Sequence, residues 1–313
     1  MNRKEQIKEL WRICFQDTED FISLYFDRVF KEEEALFIEL DGRIVSFLQI
    51  IPYTLTWHGR EITMGYISGS CTDPRERGKG LMRKLLMQAF DEMHNKGYDI
   101  TGLIPAEPWL FDYYRAHGYT EVFDYSREEY LWDGNRTAHE AVTPLTNATK
   151  DLAKWYNYLD RKLKERTCCV LHSQEDFQTS LADYELGEGL VVGLENEYAE
   201  PVGLAFAVAG DQEVRVKEIL CDNDAVKTSL LRHICHTFGM QKAIIQATPL
   251  LSDSQSYGMA MILNRAKMIR EWLDTHPNSP HSIEELHQMD NESLTTLLMG
   301  YAEREAVMSL MMD

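Results

Sequence analysis

The most informative stretch for chemistry is CTDPRERGKGLMRKLL, residues 71–86, which joins a predicted strand to a predicted helix. Its two glycines, Gly78 and Gly80, leave the backbone free to approach a ligand. Five of the ten residues from Arg75 to Lys84 are basic and one is acidic. A helix N-terminus adds unpaired N–H groups and a partial positive charge. The stretch therefore predicts a site for the phosphates of a ligand.

Two other phosphate-binding motifs do not fit this loop. The dinucleotide fingerprint follows the first strand of a βαβ unit and needs a further glycine and a downstream acid for the ribose. A Walker loop needs Gly-Lys-Ser/Thr, which the loop lacks. The pattern of arginine and glycine in this loop is short. Its position between a predicted strand and a predicted helix is what favours an anion site, because a helix N-terminus binds anions.

The elements around the loop follow from hydrophobic spacing. Residues 1–34 predict two helices, and from Ala35 the period changes to that of strands, with turns at Asp41-Gly42 and His58-Gly59. Helical spacing returns over 80–96 and 109–117, with a short strand between the two helices and another after them. The predicted order is α-α-β-β-β-β-α-β-α-β.

Past Glu140 the same shape restarts without detectable sequence identity. Where the second half should repeat the loop it reads CDNDAVKTS, with two acids and no glycine, so this copy is predicted not to bind phosphate. From about Tyr257 we expect a helical tail, including 264–274 and a capping box at Ser282. The predicted fold class is α/β (α+β), with two mixed-sheet halves and a mostly helical C-terminal extension.

Two motifs together resemble a known superfamily. Pro74-Arg75-x-Arg77-Gly78-x-Gly80-Leu81, followed by Tyr113-Tyr114-x-x-x-Gly118-Tyr119, is similar to the GNAT superfamily of acetyl-CoA-dependent N-acetyltransferases. The whole chain resembles its "enhanced intracellular survival" branch, which joins two GNAT-like domains to a domain related to sterol carrier proteins. The resemblance implies a catalytic GNAT domain over 1–135, a second GNAT-like domain without the cofactor motif over 140–250, and a shortened sterol-carrier-like region over 251–313.

The resemblance also implies roles for residues in the first half. The backbone of Ser70, Cys71 and Thr72 would pair with the pantetheine arm of acetyl-CoA, and an N–H of Thr72 would polarise the thioester carbonyl. Tyr114 would protonate the departing thiolate. The pyrophosphate loop would consist of Gly78, Lys79, Gly80, Leu81 and Met82, with Arg77 and Arg83 near the phosphates.

The attacking amine must lose a proton, because an alkylamine is protonated at neutral pH. The resemblance implies that the α-carboxylate of the last residue, here Asp313, is the general base. The C-terminal extension is shorter than a full third domain, so the sequence leaves open whether Asp313 reaches the pocket. No metal is expected, since the cluster His233, Cys235 and His236 lies in an apolar helical pattern.

Composition limits the partners. The 313 residues carry 51 Asp+Glu against 32 Lys+Arg, a formal charge of −19, which argues against nucleic acid. The acceptor is expected to be a small-molecule or peptide amine, and the negative charge either favours a cationic one or only keeps the protein in solution. The six cysteines are scattered and no apolar stretch is long enough to span a bilayer, so we expect reduced thiols in a cytoplasmic protein. We also expect a homo-oligomer, with the second half providing contacts between subunits.

Two alternatives remain open from the sequence. The first is a catalytically inactive acyl-CoA-binding or regulatory protein on the same fold, which the lack of an evident base would favour. The second is a transferase of a different acyl group. The primary prediction is an acetyl-CoA-dependent N-acetyltransferase that transfers the acetyl group to a primary amine by direct attack.

Overall fold

The computed structural model describes residues 2–134, 142–249, 253–304 and 306–312. The first half contains four helices and five strands: α1 (Arg3–Phe15), α2 (Glu19–Arg28), β1 (Ala35–Leu40), β2 (Arg43–Trp57), β3 (Arg60–Thr72), α3 (Leu81–Asn95), β4 (Ile100–Leu103), α4 (Pro108–Arg115) and β5 (Thr120–Leu131). The predicted elements of this half are present. β2 is one continuous strand where the sequence predicts two, because Pro52 does not interrupt its pairing with β3.

The second half follows the same plan. It contains β6 (Val142–Pro144), α5 (Leu152–Lys164), β7 (Val170–Leu171), α6 (Gln174–Leu186), β8 (Leu190–Glu195), β9 (Pro201–Ala209), β10 (Val214–Cys221), α7 (Asp224–Phe238) and β11 (Lys242–Ala247). In each half two parallel strands are joined by a helix: β3 and β4 through α3, and β10 and β11 through α7. This arrangement confirms a mixed α/β fold with two halves of similar form.

One sheet runs through both halves, in the order β1-β2-β3-β4-β12-β5-β11-β10-β9-β8-β6, while β7 pairs with β2. Strand β12 is Gln255–Ile262. The long strand β5 joins the halves: Thr120 to Tyr125 pair with β12, and Ser126 to Leu131 pair with β11. The two halves are therefore connected by backbone hydrogen bonds.

The prediction that the chain is helical from about Tyr257 is wrong for the first residues of this region. β12 lies between β4 and β5 and is antiparallel to both, with Met259 opposite Leu103. Its partners lie more than 120 residues earlier in the chain, so local spacing could not reveal them. The rest of the extension is mostly helical, as predicted: α8 (Arg265–Thr275), α9 (Ile283–Gln288) and α10 (Asn291–Leu298).

The C-terminal segment returns to the sheet. Val170 of β7 donates its N–H to the carbonyl of Val307 at 3.2 Å, and Val307 donates to the carbonyl of Cys168 at 3.1 Å. His172 Nε2 lies 2.8 Å from the carbonyl oxygen of Ser309. We call residues 306–312 the tail. These contacts fix it beside β7, between the halves.

A buried ion pair holds the extension against the first half. Lys267 of α8 lies 2.7 Å from the carboxylate of Asp99, which is fully buried just before β4.

All six cysteines are free thiols. Within the described ranges, every helix is too short or too polar to cross a membrane.

Candidate active site

The site begins where two parallel strands part. β3 and β4 pair at Met64/Ile100, Gly65/Thr101 and Tyr66/Gly102. β4 ends at Leu103, whereas β3 continues to Thr72 and stays paired with β2 on its other side. Residues 67–72 of β3 therefore present an edge without a strand partner among the described residues, and an extended ligand can pair with such an edge as an added strand.

The loop after β3 explains the need for both glycines. Gly78 has φ +77° and Gly80 has φ +76°, a left-handed backbone that glycine adopts at little cost. A Cβ at either position would meet nothing within 4 Å, so the space around the loop is open. Gly80 provides no side chain to cap α3, which leaves the first N–H groups of that helix available to an anion.

The corresponding helix of the second half has the opposite chemistry. The side chain of Asn223 accepts a hydrogen bond from the N–H of Val226 and thereby caps α7. Asp224 adds a negative charge in the first turn of α7. Helix α3 has no acid in its first turn. The contrast in sequence between the two turns thus corresponds to a free helix N-terminus in one half and an occupied one in the other.

Two of the five basic side chains are neutralised locally. Arg75 forms two hydrogen bonds with Asp73, at 2.8 and 3.1 Å, and lowers the pKa of that carboxyl to about 2. Lys79 pairs with Glu76 at 2.7 Å. The positive charge is therefore smaller than the sequence count indicates.

Three basic side chains remain without a carboxylate partner in the described ranges: Arg77, Arg83 and Lys84. Arg77 Nε donates to the carbonyl of Thr72 at 3.1 Å, which fixes its stem at the end of β3. Arg83 and Lys84 are exposed in the first turn of α3. These are the cations that a phosphate bound at the loop would meet.

The predicted strand residues differ in what their side chains do. Cys71 is 5% exposed and packs with α1 and α2, and the Thr72 hydroxyl lies 2.8 Å from that of Ser46. Ser70 Oγ is buried and has no described polar atom within normal hydrogen-bond distance and angle. Thus Cys71 and Thr72 offer a ligand their backbone, whereas Ser70 also offers a hydroxyl.

Tyr114 lies on α4 opposite this hydroxyl. It is 7% exposed, in the same core cluster as Leu85 and Leu86 of α3. Burial raises the pKa of Tyr114 to about 12, an effect that the nearby Ser70 hydroxyl partly offsets. The structure therefore brings the predicted tyrosine to the open edge of β3, with its proton firmly held.

Sequence reasoning missed a thiol beside this edge. Cys14 Sγ of α1 lies 3.5 Å from the carbonyl oxygen of Thr72. A hydrogen bond with the Cys71 thiol, assisted by Arg77, lowers the pKa of Cys14 to about 7 despite partial burial. Burial raises the pKa of Cys71 itself. Sequence distance concealed the pair, since 57 positions separate the two cysteines.

The opposite face of the sheet carries the tail. Side chains alternate along β3, so Ile67 packs with α3 while Tyr66 belongs to the cluster that contains Met308. A Cβ on Gly102 would lie 3.6 Å from the methyl group of Met308. The tail therefore passes the point where β3 and β4 part. Asp313, the predicted base, lies outside the described residues, and Met312 is the last residue described.

The first half of the chain is similar to a known domain family. Residues 2–122 match a family model described as an acetyltransferase (GNAT) domain. No curated protein sequence matches the chain.

Solved structures show the same fold at low identity. A GCN5-related N-acetyltransferase from Kribbella flavida has a TM-score of 0.66 at 17% identity, with 85% of this chain and 70% of that chain covered. A probable N-acyltransferase from Enterococcus faecalis V583 gives 0.65 at 15%, covering 83% and 70%. Eis1 from Mycobacterium abscessus gives 0.63 at 11%, covering 86% and 74%. The fold is thus shared over both halves.

Proposed function

We propose that this protein is an acetyl-CoA-dependent N-acetyltransferase that transfers the acetyl group to a primary amine by direct attack. One observation carries the proposal: the open edge of β3 runs from the uncapped glycine loop to Tyr114. The loop suits a pyrophosphate, the edge suits a pantetheine arm, and the tyrosine suits a departing thiolate. The match of residues 2–122 to a GNAT model supports the same assignment.

The residues present fit the cofactor. The open space at Gly78 and Gly80 admits a phosphate close to the backbone, and Arg77 and Arg83 supply charge beside it. The Ser70 hydroxyl, which lies near Tyr114, gives a polar contact midway along the edge. Lys79, Leu81 and Met82 contribute their backbone. Bound acetyl-CoA would supply an acyl group activated as a thioester.

The chain's own groups would then manage two protons. A carboxylate would take one proton from the ammonium form of the acceptor. The nitrogen would then bond to the acetyl carbon, the carbon–sulfur bond would break, and the second proton that the nitrogen loses would neutralise the departing thiolate. Tyr114 donates a hydrogen bond to the sulfur as its negative charge develops. The N–H groups of β3 polarise the carbonyl, and Thr72, at the loop end of the edge, is the residue that the resemblance assigns to this role.

We assign the α-carboxylate of Asp313 as the general base. The tail passes Gly102 on the face of the sheet opposite α3, and Met312, its last described residue, lines a cavity beside α6. We propose that residues 1–135 form the catalytic domain. The second GNAT-like half, over 140–250, forms a wall of the acceptor pocket. The C-terminal region adds β12 to the sheet, between β4 and β5, as well as supplying the tail.

Calorimetry of acetyl-CoA binding tests the loop. Gly80→Asp places a carboxylate where the phosphates would lie, and two like charges about 4 Å apart repel by about 4 kcal/mol near a protein surface, or roughly 10³-fold in affinity. Gly59→Asp is the matched control, because Gly59 has φ +78° and open space but lies at the other end of β3. We expect loss of binding only in Gly80→Asp.

Equal affinities in these two variants would remove the phosphate assignment. Retained binding of acetyl-CoA without transfer to any amine would instead favour the inactive acyl-CoA-binding protein. Transfer from a longer acyl-CoA in preference to acetyl-CoA would favour the transferase of a different acyl group.

A further inference from the structure

A cavity of about 250 Å³ lies between the second half and the tail. Its walls come from α6, from strands β9 to β12, and from residues 309–312. The apolar part of the wall includes Val208, Tyr184, Leu310 and Met312. At about 30 Å³ per water molecule the volume corresponds to about eight waters, which is room for a small organic molecule.

The cavity is close to the place where β3 and β4 part. Ser309, in its wall, directly follows Met308, whose methyl group lies against Gly102 of β4. Tyr257, also in its wall, precedes Gly258, where a Cβ would lie 3.3 Å from the carbonyl oxygen of Leu103. A ligand in the cavity would therefore approach the open edge from the face opposite α3.

One carboxylate in the wall of the cavity has no cationic partner among the described residues. The four buried acids of the described chain all form ion pairs: Asp99 with Lys267 at 2.7 Å, Asp73 with Arg75 at 2.8 Å, Glu218 with Arg166 at 2.8 Å and Asp124 with Arg304 at 3.1 Å.

Asp183 of α6 is also partly buried, yet its side chain forms neither an ion pair nor a hydrogen bond within the described ranges, and burial alone raises its pKa. Lys217 lines the same cavity but is exposed to solvent and lies beyond ion-pair distance of Asp183. A partly desolvated carboxylate that faces a cavity is a binding group for a cation.

The chemistry of acetyl transfer decides which cation. An ion pair stabilises the charged form of an amine, so a carboxylate that held the attacking nitrogen would oppose its deprotonation. A second ammonium group on the same molecule has no such conflict, because it stays charged throughout the reaction. The apolar walls suit the methylene chain between the two nitrogens.

We propose that this cavity is the acceptor site of the transferase proposed above, and that Asp183 selects small aliphatic diamines by holding the amine that does not react. The second half thereby contributes a residue that determines specificity, although it lacks a phosphate loop. This inference rests on the proposed function for its reaction and on the cavity for its ligand.

The test compares 1,5-diaminopentane with pentylamine, which share one chain and differ in the second amine. We expect wild type to favour the diamine in kcat/KM by about 10- to 100-fold, the value of a hydrogen-bonded charge pair. In Asp183→Asn the preference for the diamine should fall to about twofold. That factor remains because the diamine has two amino groups that can react and pentylamine has one. Asp183→Glu keeps the charge and should retain most of the preference.

Glu185→Gln is the matched control, because Glu185 is an exposed acid on the same helix. It removes the same charge and should leave the preference intact. A wild type without preference, or an Asp183→Asn enzyme that keeps it, overturns the inference. Calorimetry of 1,5-diaminopentane binding separates the two proposals: binding that weakens at least tenfold in Asp183→Asn, without acetylation of either amine, supports the cavity and overturns the transferase.

Discussion

Replacement of Tyr114 by Phe tests the chemistry of the leaving group. A thiol has a pKa of about 8.5, whereas burial holds the pKa of Tyr114 at about 12. Complete proton transfer from this phenol to a thiolate is therefore uphill by about 5 kcal/mol, at 1.36 kcal/mol for each pKa unit. Full transfer at that cost gives little acceleration, so the phenol acts mainly as a hydrogen-bond donor to the sulfur.

The size of the effect follows from that role. A hydrogen bond to a charged acceptor contributes roughly 1.5–3 kcal/mol, so Tyr114→Phe should lower kcat by about 10- to 150-fold. Because Tyr114 is 7% exposed and Phe keeps its ring, packing should change little. The assay is release of free thiol under saturating acetyl-CoA and amine, with calorimetry to show that acetyl-CoA affinity is retained.

Tyr113→Phe is the control on the same helix, since Tyr113 is less buried and lies beside Arg83. We expect its kcat within about twofold of wild type. The protonated phenol is the active form, so rate should fall only as pH rises through about 12, and kcat should show no limb from Tyr114 between about pH 6 and 10. A loss above about 10⁴-fold would mean complete proton transfer, and an unchanged kcat would remove Tyr114 from the reaction.

Three further outcomes follow from the same structure. Deletion of the last three residues should cut turnover by about 10²- to 10⁴-fold while acetyl-CoA affinity persists, and full activity in that variant would eliminate the Asp313 carboxylate as base. Iodoacetamide should label Cys14 before the other thiols, with a rate midpoint near pH 7 by peptide mass spectrometry; faster labelling of the buried Cys71 would contradict the pKa ordering. Glu218→Gln should lower the free energy of unfolding by about 3 kcal/mol in urea titrations, because it leaves Arg166 charged and without its partner, and a loss below about 0.5 kcal/mol would show that solvent replaces the pair.

The local features of the site could be predicted from neighbouring residues alone. The glycines, the basic residues and the strand-to-helix position of the loop are all contiguous, so spacing alone predicted an anion site at residues 78–83. The acids at the start of α7 likewise predicted a turn unsuited to phosphate, and the structure shows it capped by Asn223. Local sequence also indicated most helices and strands, since each has its own hydrophobic period.

Tertiary structure decided what distant segments do to one another. β12 became a strand because an opening between β4 and β5 satisfies its backbone, which outweighs the local pattern that predicted a helix. Cys14 acquired its low pKa from Cys71 and Arg77, and Asp183 became significant because it lines a cavity that the tail helps to form. Such effects depend on burial and on charges brought together by folding. Burial and the proximity of distant charges arise only when the chain folds, so they could not be predicted from neighbouring residues in the sequence.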